Sequence, residues 1–133
     1  MAAAVLQGWK IDHKHNIPVT LSADVTEGQI GKITANDTAA VCGAGEVPRG
    51  VYFRDVDISE DGTSGELMTS GVAVCIAAAA ITDITLPVMA AATGTVTPVT
   101  ANNDIIVGLP LNTAASGSLV AVDLKLLGSF YGA

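Results

Sequence analysis

Turn chemistry interrupts this chain at short intervals: Asn36-Asp37, Gly43-Ala-Gly45, Asp61-Gly62, Ser64-Gly65, Thr93-Gly94, Asn102-Asn103 and Ser116-Gly117. Glycine, Asn, Asp and Ser tolerate or stabilise the backbone reversals that few other residues accept. The segments between them carry no sustained helical period, so strands are the economical solution. Their composition agrees, because Val, Ile and Thr supply 38 of the 133 residues, and β-branched side chains suit a pleated surface. Period-two alternation is clear in Val72-Ala-Val-Cys-Ile76 and in Leu119-Val-Ala-Val-Asp-Leu124. Strands are expected at Pro18–Ser22, Gln29–Thr34, Ala39–Cys42, Gly50–Asp57, Gly65–Ser70, Val72–Ile76, Thr95–Val99, Ile105–Leu111 and Ser118–Leu124. Only Ala77–Ile81 and Val88–Thr93 offer a short helix, and a buried strand is the alternative over Ile76–Ile84. The expected fold class is all-β: a compact sandwich or barrel with at most one or two short helices and extended termini.

The chain also matches itself. Gly28-Gln-Ile-Gly-Lys-Ile-Thr-Ala-Asn36 parallels Gly94-Thr-Val-Thr-Pro-Val-Thr-Ala-Asn102. Arg49-Gly-Val-Tyr52 parallels Val107-Gly-Leu-Pro110, and Ser64-Gly65 parallels Ser116-Gly117. Three matches in the same order point to two related β units in one body, the second with a shorter connection after its glycine strand. Repeated turn chemistry in a Thr/Ala/Gly-rich chain is the competing explanation.

Charge narrows the partners. Thirteen acids against six Lys and Arg leave a formal charge of −7, whereas phosphate recognition depends on clustered cations. A mean hydropathy of +0.51 lies far from the composition of disordered chains. Met1–Leu6 lacks the cationic start of a secretory signal, and Val72–Ile81 is too short to span a bilayer. Synthesis in a cytoplasm, with no membrane partner, is the expectation. Cys42 and Cys75 have no metal or redox spacing and read as small buried hydrophobes, with a disulfide left open.

A search for chemistry yields little. His13-Lys14-His15 places two imidazoles on one strand face, but no third ligand is spaced to complete a metal site. The acids Asp55, Asp57, Glu60, Asp61 and Glu66 form the densest charge cluster, without the order of a calcium loop. Gly43-Ala-Gly45 lacks the lysine of a phosphate loop, and Gly-x-Ser-x-Gly is absent. No catalytic residue, cofactor or metal is therefore assigned, and the chain is expected not to be an enzyme. The ends differ from the middle: residues 1–16 carry Trp9 and both histidines, and residues 126–133 carry Phe130 and Tyr131. They read as an arm and a tail flanking a β-rich domain over residues 17–125. Apolar, aromatic-tipped ends need something to dock on.

From about Val19 to Leu124 the chain resembles the head decoration, or capsid cement, proteins of tailed bacteriophages. The resemblance rests on Ala23-Asp-Val-Thr-Glu-Gly-Gln-Ile30, Glu46-Val-Pro-Arg-Gly-Val51 and Leu67-Met-Thr-Ser-Gly-Val-Ala-Val74. Its most characteristic part is the ending, Asp104-Ile-Ile-Val-Gly-Leu-Pro-Leu111 followed by Ala114-Ala-Ser-Gly-Ser-Leu-Val-Ala-Val-Asp-Leu124. Two features depart from the family's compact form: the longer Arg54–Ser64 loop and the longer C-terminal tail Leu126–Ala133. Pro110 falls within a strand and calls for an edge or a bulge. The resemblance implies a virion protein on the outer capsid surface that holds major capsid protein capsomers together. It also implies a homo-oligomer, a homotrimer favoured over a dimer. On that reading Leu6, Trp9, Ile11, His13 and His15 are the expected capsid contacts, and Leu127, Phe130 and Tyr131 the expected contacts between copies. The competing readings are another virion component, such as a tail or fibre-attachment domain, and a β-fold enzyme with a site between subunits.

Overall fold

The computed structural model describes residues 15–101 and 104–126. Ten strands run through it: β1 His15–Leu21, β2 Ile30–Ala35, β3 Thr38–Val41, β4 Gly50–Tyr52, β5 Ser64–Ser70, β6 Val72–Ile76, β7 Val88–Ala90, β8 Val96–Pro98, β9 Ile106–Pro110 and β10 Leu119–Leu124. All nine expected strands are present. β7 is the addition, formed where the sequence favoured a helical turn. Its residues alternate between the core and a partly buried face, so period two prevailed over a local excess of alanine. Ala77–Ile81 is not helical either, because Ala77 bridges Val96 and Ile81 bridges Ala114. Among the described residues the one α-helix, α1 at Ile58–Asp61, lies in the expected loop. Asp57 caps it by accepting from the Ser59 amide at 3.0 Å, and Asp57 with Glu60 three residues on is the sequence signal for that start.

The strands form two groups. β1-β3-β2-β4-β5 closes into a barrel, and the second sheet runs β6-β10-β9-β7-β8. Substituting β6 for β1, β7 for β2 and so on converts one order into the other. The strand senses agree as well. β1 pairs parallel with β3, and the second group has its parallel contact at Ala77 and Val96; every other pairing in both groups is antiparallel.

The equivalence extends to single residues. Leu21 opposite Ala39 corresponds to Ala77 opposite Val96. Val25 opposite Val56 corresponds to Ile81 opposite Ala114. Gly31 opposite Val41 and Gly50 corresponds to Val88 opposite Pro98 and Gly108. Tyr52 opposite Leu67 corresponds to Pro110 opposite Val122. The chain is thus two topologically identical five-stranded units.

This register sorts the three internal sequence matches. Gly50 and Gly108 coincide, as the Arg49–Tyr52 match requires. Ser64 falls on Leu119, three residues beyond the matched Ser116. The longest match is displaced by a strand, since Gly28–Asn36 feeds β2 whereas Gly94–Asn102 contains β8, the counterpart of β3. A left-handed residue in each β2–β3 type connection, Asp37 (φ 57) and Gly94 (φ 74), is what the two hairpins share in that region.

Each unit has its own interior. Inside the barrel lie Val19, Leu21, Val25, Ala39, Tyr52, Val56 and Leu67. The larger cluster fills the second sheet, with Ala73, Cys75, Val88, Val96, Val107, Val120 and Val122. Ile30, Cys42, Val51 and Met68 join it from the outer face of the barrel, so one unit is docked on the open side of the other. Pro110 ends β9 beyond the last β7 pairing, where its missing N–H faces no partner strand. Among the described residues, no helix is long and apolar enough to cross a membrane.

Candidate functional site

β1 begins at His15 and β5 ends at Ser70, side by side. With the β3–β4 connection they enclose an open cleft of about 420 Å³. Its walls are His15 and Ile17 from β1, Thr69 and Ser70 from β5, Val47, Pro48 and Arg49 from the connection, and Leu126. His15 and Leu126, the first and last described residues, both line this cleft. Leu126 is 8% exposed and packs in the main core, while Val47 is 56% exposed on the rim. His15 and Asn16 are the first residues of β1, and Leu126 packs in the core. Leu6, Trp9, Ile11, His13, Leu127, Phe130 and Tyr131 lie outside the described residues.

The cleft's polar groups are engaged locally. The Thr69 hydroxyl donates to the His15 carbonyl oxygen at 3.2 Å, and its oxygen sits 3.1 Å from His15 Nδ1. A hydroxyl committed to a backbone carbonyl is not an activated nucleophile, and no third group among the described residues orients the imidazole. The cleft can hold apolar side chains; its described lining lacks the paired acid and base of a reaction site. Val47, Pro48 and Arg49 were not expected as site residues, because nothing local marks their loop as facing His15 and Leu126.

The acidic cluster acts as loop scaffolding. Asp55 Oδ1 accepts from the Glu27 amide at 2.7 Å, and Asp24 Oδ1 accepts from Ile58 N at 2.9 Å. Hydrogen bonds from the Ser59 hydroxyl and amide hold the Asp57 carboxyl below its usual range. Asp83 is lowered in the same way by Thr85, and Asp104 by the amides of Thr100 and Ala101. The Lys32 ammonium, then the Gly43 amide, lower Glu46. Among the described residues no group of three or more His, Cys, Asp or Glu is placed to hold a metal ion. Cys42 and Cys75 are both free and buried. Burial pushes their thiols up to about 11 and about 12 respectively, which removes the thiolate that redox or nucleophilic chemistry needs.

Comparison by sequence with protein-family models and with characterised proteins gave no match. Comparison of structures found the N base of the head fiber protein gp8.5 of bacteriophage phi29, at a TM-score of 0.68 and 16% identity. The match covers 84% of this chain and 94% of that one. At this identity the likeness is one of fold.

Proposed function

We propose that this chain is a structural component of a bacteriophage virion that binds the outer surface of the head as a homo-oligomer and cements contacts between capsomers. The observation that carries this reading is a nearly full-length likeness to the base of a phage head fiber, in a chain whose sequence independently resembles head decoration proteins. The body also fits the role. Its thiols are buried, several of its acids accept hydrogen bonds from loop amides, and its described segment begins and ends at one cleft. The remaining charge is strongly acidic, which favours solubility at the high local concentrations of a decorated shell. Weak contacts repeated around a symmetry axis add through multivalency.

Leu6, Trp9, Ile11, His13 and His15 are proposed to contact the major capsid protein, and Leu127, Phe130 and Tyr131 to contact a neighbouring copy in a trimer. The truncations that test this stop short of the body, since β1 starts at His15 and Leu126 packs in the core. A chain lacking residues 1–14 is expected to keep its β-sheet circular dichroism and lose co-sedimentation with purified shells. A chain ending at Leu126 is expected to sediment as a smaller species than the full chain. Undiminished shell binding by the first, or an unchanged oligomer from the second, would overturn the corresponding assignment.

A further inference from the structure

The alternation that builds the end of β10 runs on past its last ladder position. Val122, Leu124 and Leu126 are buried, Asp123 between them is half-buried and Lys125 is exposed. Period two thus delivers Leu126 into the cleft described above. Outside the described residues the sequence continues Leu127-Gly-Ser-Phe-Tyr131. The same period carried forward assigns Gly128 and Phe130 to the side of Leu126, and Leu127, Ser129 and Tyr131 to the opposite side. The aromatic pair is thereby divided: one ring is directed at the body and the other away from it.

The cleft suits one such ring. Its volume of about 420 Å³ lies at the small end of the roughly 300–1,000 Å³ of pockets that hold organic ligands. Ile17, Val47, Pro48 and Leu126 supply aliphatic walls and Arg49 adds a guanidinium, a setting that favours an aromatic face. Val47 is 56% exposed, more than any other large apolar residue described, so a cover there takes apolar surface out of water. Reach selects the occupant. Leu126 is itself a wall of the cleft, and four residue steps carry a chain at most about 14 Å, so Phe130 stays in its neighbourhood. An occupant tethered so closely acts at an effective concentration in about the millimolar range, which a partner free in solution must overcome by affinity. Charge agrees. The described lining holds His15 and Arg49 and no carboxylate, and residues 127–133 carry no charged side chain. Residues 1–14, the other segment adjoining the cleft, bring Lys10 and Lys14 against the single acid Asp12, and cations are the poorer fit beside Arg49.

We infer that the cleft is a docking site for the chain's own tail, with Phe130 as the side chain it receives. The inference deepens the assignment of the tail given above and rests on it for the outward residues: Phe130 anchors the segment to its own body, and Leu127 and Tyr131 are left to meet a neighbouring copy. The contact between copies then has a fixed base, because a segment already seated loses less conformational freedom on association.

The test uses the full chain with the photo-crosslinking residue benzoylphenylalanine in place of Phe130, mixed with an excess of isotopically heavy wild-type chain. After irradiation, mass spectrometry is expected to find the label joined to Ile17 or to Val47–Arg49 of its own, light chain. The same label in place of Tyr131 is expected to reach none of these residues in its own chain. Crosslinks from position 130 to the heavy chain, or to residues away from the cleft, would overturn the inference, as would cleft crosslinks from position 131. A second measurement needs no label. F130A is expected to open the cleft to an apolar fluorescent dye and raise its emission severalfold, Y131A to leave it unchanged, and V47D added to F130A to remove the rise. Emission equal in F130A and wild type, or a rise that V47D leaves intact, would also overturn it. Sedimentation in parallel separates the two claims: a monomeric wild type with same-chain crosslinks contradicts the proposed oligomer and leaves this docking site standing.

Discussion

Replacement of Gly108 by alanine is expected to destabilise the protein by about 3 kcal/mol or more, the upper range for overpacking. A β-carbon there would fall on the Asp123 carbonyl oxygen, 2.9 Å from the carbonyl carbon and 2.7 Å from Val122 Cγ1. The obstacle is the backbone of the adjacent strand, which cannot yield without breaking the β9–β10 ladder. Its counterpart Gly50 meets the equivalent atoms: Leu67 Cβ at 2.8 Å and the Met68 carbonyl oxygen at 2.9 Å. The same close approach of two strands thus recurs in both units, with glycine meeting it each time. Gly50→Ala is expected to cost less, because the contacts are longer. Gly117→Ala serves as the control. Nothing lies within 4 Å of its β-carbon position, but its φ is +84, so the expected loss is only the left-handed penalty of about 1–2 kcal/mol. Urea unfolding of the three variants checks the ranking, and a Gly108→Ala protein as stable as Gly117→Ala would contradict the register.

Tyr52→Ala is expected to cost about 3–5 kcal/mol by opening a cavity in the barrel. Tyr52 is 1% exposed and its hydroxyl donates to the Ala40 carbonyl oxygen at 3.1 Å. Tyr52→Phe loses that bond alone, at about 1 kcal/mol. The ring also explains a second glycine. A β-carbon on Gly31 would lie 2.5 Å from Leu67 Cδ2 and 2.9 Å from Tyr52 Cε2. In the second unit the counterparts are Pro110 and Val88, a smaller ring facing a larger neighbour. Gly31→Ala is therefore expected to be strongly destabilising beside Tyr52 and much less so in the Tyr52→Ala background. Additive losses in that double-mutant cycle would show that the two positions do not share the space.

The strands were legible because alternation and turn residues act locally. Val72–Ile76 and Leu119–Leu124 could be placed from pattern alone, and β7 escaped because three residues are too few to outweigh the alanines that follow. Strand partners were not legible, since pairing depends on residues dozens of positions apart. The repeat was visible at Gly50 and Gly108, where the backbone contact itself demands glycine. It was misplaced around Gly28, where Thr, Ala and Asn recur for turn chemistry in non-equivalent hairpins. The cleft was illegible for a related reason: Val47, Pro48 and Arg49 acquire significance only when β1, β5 and Leu126 close around them.

The central claim, that this chain sits on the outside of a phage head, is tested most directly by imaging particles assembled with and without it. The account predicts difference density distributed over the outer head surface at repeated capsomer junctions, with the tail unchanged. Density confined to the tail, or particles identical in both preparations, would contradict it.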